Sequence, residues 1–291
     1  MTKTNPTTAV AAGDLLLGGE LRVNRLGFGA MRLALGGQVR EPAEGVEILR
    51  RAVDLGVNHI DTAAAYGIGH LQSHEMIRIG LTPYPDELVI ATKVSAPQEG
   101  STAATGRTTA QHLRHLVEQD LRRLGRHHLD LVYLRTNGMG QPGGEPIGEQ
   151  FAALAVLRDE GLIRHLGVSH VDANQLADAQ SIAPVAAVQN RFHLNDRGDA
   201  PLVTRCEQDG IAYVPYFPLG GGRERLNRPP ITDVAARHRA TAAQVALAWL
   251  LEVSPAILAI PGSSTLDHLI ENITAAGVRL TADDLDEIES A

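Results

Sequence analysis

The sequence predicts an α/β protein, because short apolar segments typical of strands alternate with longer segments of helical periodicity. This alternation indicates βα units, in which helices connect parallel strands and cover the sheet that they form. A chain of 291 residues with 44% hydrophobic residues can bury a sizeable core, as one large domain or two small ones. Because only 3% of the residues are aromatic, we expect that core to be aliphatic.

The strand candidates fall into two groups. Residues 15–17 and 21–23 flank a Gly-Gly-Glu turn and predict a small hairpin near the N-terminus. Eight further segments of strand length follow, at residues 26–28, 59–61, 88–92, 129–134, 165–168, 186–189, 212–215 and 257–260. Eight strands that alternate with helices fit a (β/α)8 barrel, the TIM barrel, whose active site lies at the C-terminal ends of the strands.

The intervening segments carry the spacing and the end signals of helices. Residues 42–54 place their apolar side chains on one stripe, and so do residues 109–124. The latter segment stops before Gly125, a residue type that commonly ends helices. Residues 241–251 are mostly apolar and begin with the spacing of a capping box.

Composition argues against several classes of protein. A net charge of -8 disfavours a nucleic-acid surface, which needs clustered Lys and Arg. Cys206 is the only cysteine, so no intramolecular disulfide is possible, as expected in a reducing compartment. Residues 1–12 are polar, and we expect a flexible segment there rather than a secretory signal. No stretch approaches the ~20 apolar residues of a membrane span, so we expect a cytoplasmic protein. Residues 13–291 should form one domain, and the protein should be a monomer or a weak homo-oligomer.

An acid, a phenol and an amine stand at the ends of two neighbouring predicted strands. Asp61 ends the segment 59–61, Tyr66 follows on the next loop, and Lys93 follows the segment 88–92. A tyrosine hydroxyl is a poor proton donor at neutral pH, but a nearby ammonium stabilises the phenolate and a carboxylate can hold that ammonium in place. Together the three side chains could form a general acid that protonates an oxyanion. The alternative interpretation is a buried tyrosine beside a structural ion pair, and Lys93 at the next strand end favours catalysis.

Further polar side chains lie at or just past predicted strand ends, as a barrel active site requires. These residues are Arg135, Ser169, Gln189 and Tyr216. Ser169, Gln189 and Tyr216, together with residues 58–67, 91–93, 167–169, 188–190, 213–220 and 260–272, resemble the aldo-keto reductases, in the order of that family. The resemblance runs from about residue 20 to the C-terminus. It implies a barrel whose floor is closed by the N-terminal hairpin, and hydride transfer from a reduced nicotinamide to a small aldehyde or ketone.

The resemblance also assigns cofactor-binding roles. Ser169, His170 and Gln189 would bind the nicotinamide carboxamide, and Tyr216 would stack on the ring. Taken alone, Ser169 could merely cap the next helix and Tyr216 could be part of the core. The loop that begins with Pro218, Leu219 and Gly220 would lie against the pyrophosphate, with the positive charges of Arg223, Arg225 and Arg228 nearby.

The last assigned segment would bind the adenosine end of the cofactor. It comprises Gly262, Ser263, Ser264, His268, Glu271 and Asn272, at the start of a predicted helix where backbone N–H groups attract anions. Relatives often carry Lys at the position of Gly262 and Arg at that of His268. Both basic residues are missing here, which leaves NAD(H) open, but the resemblance of residues 261–264 to the Pro-Gly-x-Ser variants of the family favours NADP(H). A Gly-x-Gly-x-x-Gly fingerprint after a strand is absent, and the histidine pairs lack the further ligands of a zinc site.

Arg135 departs from the family pattern, which usually has a histidine at this place. An arginine brings a fixed positive charge and up to five hydrogen-bond donors, where a neutral histidine donates one. We therefore hypothesise that Arg135 contacts substrates that carry an oxyanion near the carbonyl group. The alternative is an arginine that folds away onto Asp61, Asp130 or a loop carboxylate.

A closer resemblance concerns the substrate. Residues 210–221, 245–251 and 130–135 are similar to those of bacterial pyridoxal reductases, and pyridoxal has a phenolic oxygen beside its aldehyde. Two other functions stay open at this point. One is an oxidoreductase of a natural-product or sugar intermediate, and the other is a nicotinamide-binding sensor or regulatory barrel with weak turnover.

Overall fold

The computed structural model describes residues 7–95, 108–136, 141–222 and 226–290. Its strands are β1 (Asp14–Leu17), β2 (Leu21–Asn24), β3 (Phe28–Gly29), β4 (His59–Asp61), β5 (Gly67–Ile68), β6 (Leu71–Gln72), β7 (Val89–Ser95), β8 (Leu129–Arg135), β9 (Ile163–Ser169), β10 (Ala187–Gln189) and β11 (Ala212–Tyr213). Its α-helices are α1 (Pro42–Asp54), α2 (Ser73–Leu81), α3 (Ala110–Leu124), α4 (Gly148–Asp159), α5 (Ala173–Gln180), α6 (Ala200–Gln208), α7 (Pro229–His238), α8 (Ala242–Val253), α9 (Leu266–Thr274) and α10 (Ala282–Glu289).

The parallel strands close into the predicted barrel. Seven of them pair in the order β11-β10-β9-β8-β7-β4-β3, and residues 257–260 fill the gap between the two edges. These residues bridge to both edges, through Leu26 with Ala259 and Tyr213 with Ile257. The eighth strand is thus present as two isolated bridges rather than a continuous ladder. The (β/α)8 fold class is confirmed, but strand bounds differ from expectation, most clearly for the segment 212–215, which pairs only at Ala212–Tyr213, and for the segment 26–28, whose strand is Phe28–Gly29.

The hairpin of β1 and β2 plugs the floor of the barrel. Leu17 and Val23 are fully buried and belong to the same apolar cluster as the inward-facing Leu131. Gly18 makes the tight contact possible, because it has a φ of 59° and a Cβ there would lie 2.3 Å from the His165 ring. The His165 ring in turn lies 2.8 Å from the Glu20 carboxylate. The predicted closure of the barrel floor is confirmed.

Side chains on the strands alternate between two cores. The outward-facing Ile60, Ile90 and Val132 pack with the helices in the large core cluster. The inward-facing Ala91, Leu131 and other residues of the smaller cluster fill the barrel. Because the alternation has a period of two, Asp61 at the C-terminal end of β4 and Lys93 near the C-terminal end of β7 both point into the barrel.

The helix predictions hold, with one correction at the N-terminus. Thr109 caps α3, Gly125 ends it in the left-handed conformation, and Thr241 forms the predicted capping box of α8. Residues 1–6 lie outside the described part of the chain, so the flexible segment stays a prediction there. At Ala9–Ala12 the prediction is wrong, because these residues form a 3-10 turn and Ala9 is fully buried.

Within the described ranges, no helix is both long and apolar enough to cross a membrane.

Candidate active site

A buried ion pair stands at the mouth of the barrel. The Lys93 Nζ donates to Asp61 Oδ1 at 2.5 Å and to the backbone carbonyl of Thr62 at 3.1 Å. The side chains of Lys93 and Asp61 are only 4% and 3% exposed. Burial alone would lower the pKa of Lys93, but the adjacent Asp61 carboxylate and Tyr66 phenol outweigh it and raise that pKa. Lys93 is therefore a fixed cation in this site.

Tyr66 lies beside this cation on the loop that follows β4. Its ring centre is 5.1 Å from the Lys93 Nζ, and the residue is half-buried rather than packed into the core. The backbone holds the loop in place, since the Tyr66 N–H donates to the Ala63 carbonyl and the Tyr66 carbonyl accepts from the N–H of Ser73. The structure thus brings Asp61, Tyr66 and Lys93 together as predicted.

Gln189 completes the hydrogen bonding of the carboxylate. Its Nε2 donates to Asp61 Oδ2 at 2.7 Å, so both oxygens of Asp61 are engaged. The fully buried Tyr133 lies beneath, with its ring centre 5.9 Å from the Lys93 Nζ. Burial and the nearby Asp61 charge raise the pKa of Tyr133 well above its ordinary value, which keeps this phenol neutral. The bond from Gln189 to Asp61 uses one of the two N–H donors of this amide, and its side-chain oxygen can still accept a hydrogen bond.

Four of the predicted residues form a second cluster around an aromatic ring. The Arg135 Nη1 lies 3.4 Å from the Ser169 Oγ, and its Cζ is 5.6 Å from the centre of the Tyr216 ring. The Tyr216 hydroxyl is 3.1 Å from the His170 Nδ1, and Phe217 packs edge-on against the same ring. Burial and the Arg135 charge both lower the pKa of His170 and favour its neutral form.

The backbone at this cluster is held in an unusual conformation. His170 and Phe217 have φ values of 62° and 55°, in a region that non-glycine residues seldom adopt. The Thr136 hydroxyl donates to the His170 carbonyl, and the His170 N–H donates to the Gln189 carbonyl at 3.0 Å. These bonds stabilise the strained residue that precedes α5. Strain of this kind is often found at functional sites.

The structure argues against Ser169 as a helix cap and against Arg135 folded onto Asp61 or Asp130. Asp172, in a capping box with Gln175, caps α5, so the Ser169 hydroxyl is not needed as a cap. Asp61 is bonded to Lys93 and Gln189, and Arg126 binds both oxygens of Asp130. Arg135 instead contacts Ser169 and Tyr216, at the barrel mouth.

A cleft of about 410 Å³ runs from the ion pair to the start of α9. Its lining includes Asp61, Tyr66, Tyr216, Pro218, Leu219, Gly262, Ser263, Ser264 and His268. The other predicted cofactor residues, Ser169, His170, Gln189, Gly220, Glu271 and Asn272, are not among the described residues that line it. Arg223 and Arg225 lie outside the described residues. Most predictions for the loop after β11 and the segment before α9 therefore converge on one cleft.

Sequence reasoning missed the loop that forms the opposite wall of the cleft. This wall contains Met31, Arg32, Gly36, Gly37 and Gln38. Arg32 donates to the carbonyls of Gly36 and Gly221, at 2.6 and 2.7 Å, and so links the two walls. The adjacent glycines Gly36 and Gly37 could have indicated this wall in the sequence, because glycine lets a backbone segment approach its neighbours closely.

The far end of the cleft suits an anionic group. Thr265 caps the nine-residue helix α9, and the buried Ser263 donates to the Thr265 carbonyl at 2.7 Å. The start of a helix offers unpaired N–H groups and a partial positive charge. A Cβ at Gly262 would lie 2.8 Å from the Gly29 carbonyl, so only glycine fits this wall. The cleft thus fits a long phosphate-bearing molecule whose other end reaches Tyr66.

Comparisons with known proteins agree with this geometry. The sequence model of the aldo/keto reductase family matches residues 25–291. The chain is 42% identical to pyridoxine 4-dehydrogenase of Escherichia coli, over 93% of this chain and 96% of that protein. It is 38% identical to an uncharacterised oxidoreductase of Schizosaccharomyces pombe, over 97% and 92% of the two chains.

Solved structures show the same fold. An aldo/keto reductase of Klebsiella pneumoniae, solved with NADP and acetate, has a TM-score of 0.80 and 27% identity, over 95% of this chain and 94% of that one. A thermostable aldo-keto reductase bound to the inhibitor epalrestat has a TM-score of 0.81 and 29% identity, over 95% and 98%.

Proposed function

The chain belongs to the aldo/keto reductase family of oxidoreductases, and we propose that it reduces pyridoxal or a related aromatic aldehyde to the alcohol with NADPH. The observation that carries the proposal is the buried pair of Lys93 and Asp61 beside Tyr66, at one end of a cleft that continues to α9. The similarity to pyridoxine 4-dehydrogenase supports the choice of substrate class.

The chain's own residues supply the proton and the positioning. Tyr66 donates its hydroxyl proton to the oxygen of the substrate carbonyl as negative charge develops there. Lys93 stabilises the resulting phenolate, and Asp61 holds Lys93 through the bond at 2.5 Å. Gln189 fixes the second oxygen of Asp61, so the carboxylate has one orientation. When bound, the reduced nicotinamide supplies the hydride for the carbonyl carbon.

The residues in and around the cleft support the binding of a nicotinamide dinucleotide. Tyr216 lines the same cleft as Tyr66 and would stack on the nicotinamide ring, and Ser169, which lies beside Arg135 outside the lining of that cleft, would bind the carboxamide. Ser263, Ser264 and His268 at the start of α9 would hold the adenosine 2′-phosphate. NADP(H) is therefore the proposed cofactor, with His268 in place of a stronger cation. A cytoplasmic location and a monomer or weak homo-oligomer stay predictions.

The position of Arg135 favours an aldehyde substrate that carries an oxyanion close to its carbonyl group. Its guanidinium lies at the barrel mouth, over Tyr216 and beside Ser169. Arginine binds oxyanions through charge-assisted hydrogen bonds, which are roughly twice as strong as neutral ones. The phenolic oxygen of pyridoxal, next to its aldehyde, is such a group.

The decisive test is oxidation of NADPH in the presence of pyridoxal. We expect turnover with pyridoxal, and at least about tenfold lower kcat/KM with its 3-O-methyl analogue, which keeps the aldehyde but has no ionisable oxygen. The absorbance of the reduced nicotinamide measures both rates, and NADH should be the poorer donor. Cofactor binding without oxidation by any aldehyde would instead indicate a sensor. Preference for sugar aldehydes would indicate the other enzyme function.

Replacing Arg135 with histidine should remove this discrimination. In Arg135→His we expect kcat/KM for pyridoxal to fall by about tenfold, while the value for the 3-O-methyl analogue changes little. The measured quantity is the ratio of the two kcat/KM values, which cancels any general loss of active enzyme. An unchanged ratio would remove Arg135 from substrate selection.

A further inference from the structure

Asn190, the residue directly after β10, joins two loops that carry residues of the proposed nicotinamide site. The residue is fully buried. Its Oδ1 accepts from the N–H of Val171 at 3.0 Å, and its Nδ2 donates to the carbonyl of the same residue at 2.7 Å. Its backbone carbonyl accepts from the N–H of Tyr216 at 2.9 Å. One residue thus connects the loop after β9 with the loop after β11.

The two bonds to Val171 restrain a strained neighbour. Val171 is fully buried, so its N–H and carbonyl need partners inside the protein, and Asn190 provides one to each. The Val171 N–H belongs to the peptide group shared with His170, whose φ of 62° is seldom adopted by non-glycine residues. Strain of this kind persists only where the surrounding structure holds it. The His170 Nδ1 in turn lies 3.1 Å from the Tyr216 hydroxyl.

An amide is the side-chain type that these contacts require. The Val171 carbonyl needs a donor and the Val171 N–H needs an acceptor, which a carboxylate or an apolar side chain of the same shape cannot both supply. The Asn190 Nδ2 also donates to Asp199 Oδ2 at 2.9 Å, and the Tyr213 hydroxyl donates to the same oxygen at 2.5 Å. Burial and the Asp199 charge raise the pKa of Tyr213 well above its ordinary value, so this phenol stays a neutral donor. Asp199 therefore fixes the orientation of the amide.

We propose that Asn190 is a positioning residue for the nicotinamide end of the cofactor. Its amide, paired with Val171, holds the loop of His170, and its backbone carbonyl holds the loop of Tyr216. The inference rests on the proposed function, because that function assigns His170 and Tyr216 to the nicotinamide. Asn190 is not among the described residues that line the cleft, so it acts through these two residues and not by contact with the cofactor.

Replacing Asn190 with alanine should weaken binding of the nicotinamide end alone. Adenosine 2′,5′-bisphosphate carries the adenosine phosphates of the cofactor without a nicotinamide, so it probes only the far end of the cleft. In Asn190→Ala we expect the Kd of NADPH to rise about tenfold, near the upper end of the range for one lost hydrogen bond. The Kd of the bisphosphate should stay at the wild-type value. Titration calorimetry measures both constants, and the fitted stoichiometry gives the folded fraction.

Asn58 provides a matched control at the floor of the barrel. It lies directly before β4, where its Oδ1 accepts from the Asn24 N–H at 2.8 Å and its Nδ2 donates to the Arg22 carbonyl at 3.0 Å. Asn58→Ala therefore removes the same two kinds of bond from between backbone segments, away from the cleft. It should bind both probes as the wild type does.

A second pair of variants separates positioning from folding, and it also serves if Asn190→Ala does not fold. Asn190→Asp places a second carboxylate beside Asp199 and should lower the Tm. Adding Asp199→Asn restores a bond between these two side chains with the donor reversed, and the Tyr213 hydroxyl keeps an acceptor. Only the Val171 carbonyl then lacks its donor. We expect the double variant to recover the Tm but not the affinity for NADPH.

Several results would overturn the inference and leave the proposed function standing. Unchanged NADPH binding by Asn190→Ala is one, and equal weakening of both probes is another, because the effect would then be a general loss of structure. An equal loss of NADPH affinity in Asn58→Ala has the same meaning. Recovery of NADPH affinity in the double variant would show that the amide is not needed at Val171. Failure of the wild type to bind either probe would overturn the proposed function itself.

Discussion

Replacing Tyr66 with phenylalanine is expected to lower kcat for aldehyde reduction by about 100-fold or more, while the Kd of NADPH stays nearly unchanged. The reason is local, because the substitution removes the proton donor and leaves the aromatic ring beside Lys93 in place. Steady-state kinetics with pyridoxal gives kcat, and fluorescence titration gives the Kd.

A matched control for this substitution lies elsewhere in the chain. Tyr84 is half-buried and donates its hydroxyl to the Leu124 carbonyl at 2.6 Å, away from the cleft. Tyr84→Phe therefore also removes one phenolic hydroxyl, but it should keep turnover near that of the wild type. If Tyr66→Phe retained more than about a tenth of the wild-type kcat, Tyr66 would not be the general acid.

Replacing Lys93 with methionine should reduce both stability and turnover. The substitution leaves the Asp61 carboxylate, which is 3% exposed, buried without its cation. Removal of one partner of a buried pair typically costs about 3–5 kcal/mol of unfolding free energy. Turnover should also fall sharply, because no cation remains to stabilise the phenolate. Chemical unfolding measures the first effect, and NADPH oxidation measures the second.

A double variant separates the structural role of the pair from its chemical role. Asp61→Asn combined with Lys93→Met removes both charges, and most of the lost stability should return while turnover stays low. The exposed pair of Arg22 and Asp14, at 67% and 43% exposure, provides the comparison. Arg22→Met should change the unfolding free energy by no more than about 0.5 kcal/mol. Recovered turnover in the double variant would show that the charges of the pair are not needed for chemistry.

The barrel itself was predictable from the sequence, because its signal is periodic and local. Apolar runs of strand length recur between helical stripes, and β4 matches the predicted segment 59–61 residue for residue. The closing strand was less predictable, since residues 257–260 are apolar but form only isolated bridges. Whether a short apolar segment forms a ladder or a bridge depends on its neighbours in space.

The candidate site was predictable where it depends on position along strands. Asp61 and Lys93 lie toward the C-terminal ends of the adjacent parallel strands β4 and β7, so their contact follows from the topology. The bond from Gln189 to Asp61 was not predictable, because it joins residues 128 positions apart and depends on side-chain direction. Arg32 was missed for the same reason, since its bond to Gly221 exists only after the barrel closes.

That long-range bond has a consequence for how activity arises during folding. Asp61 comes from the first half of the chain and Gln189 from the second, and the cleft walls are likewise contributed by both. A half-assembled barrel would possess neither an oriented proton donor nor two facing walls. Activity should therefore require the closed barrel. During refolding, the return of turnover would show that residues 257–260 have closed the barrel against its first strand.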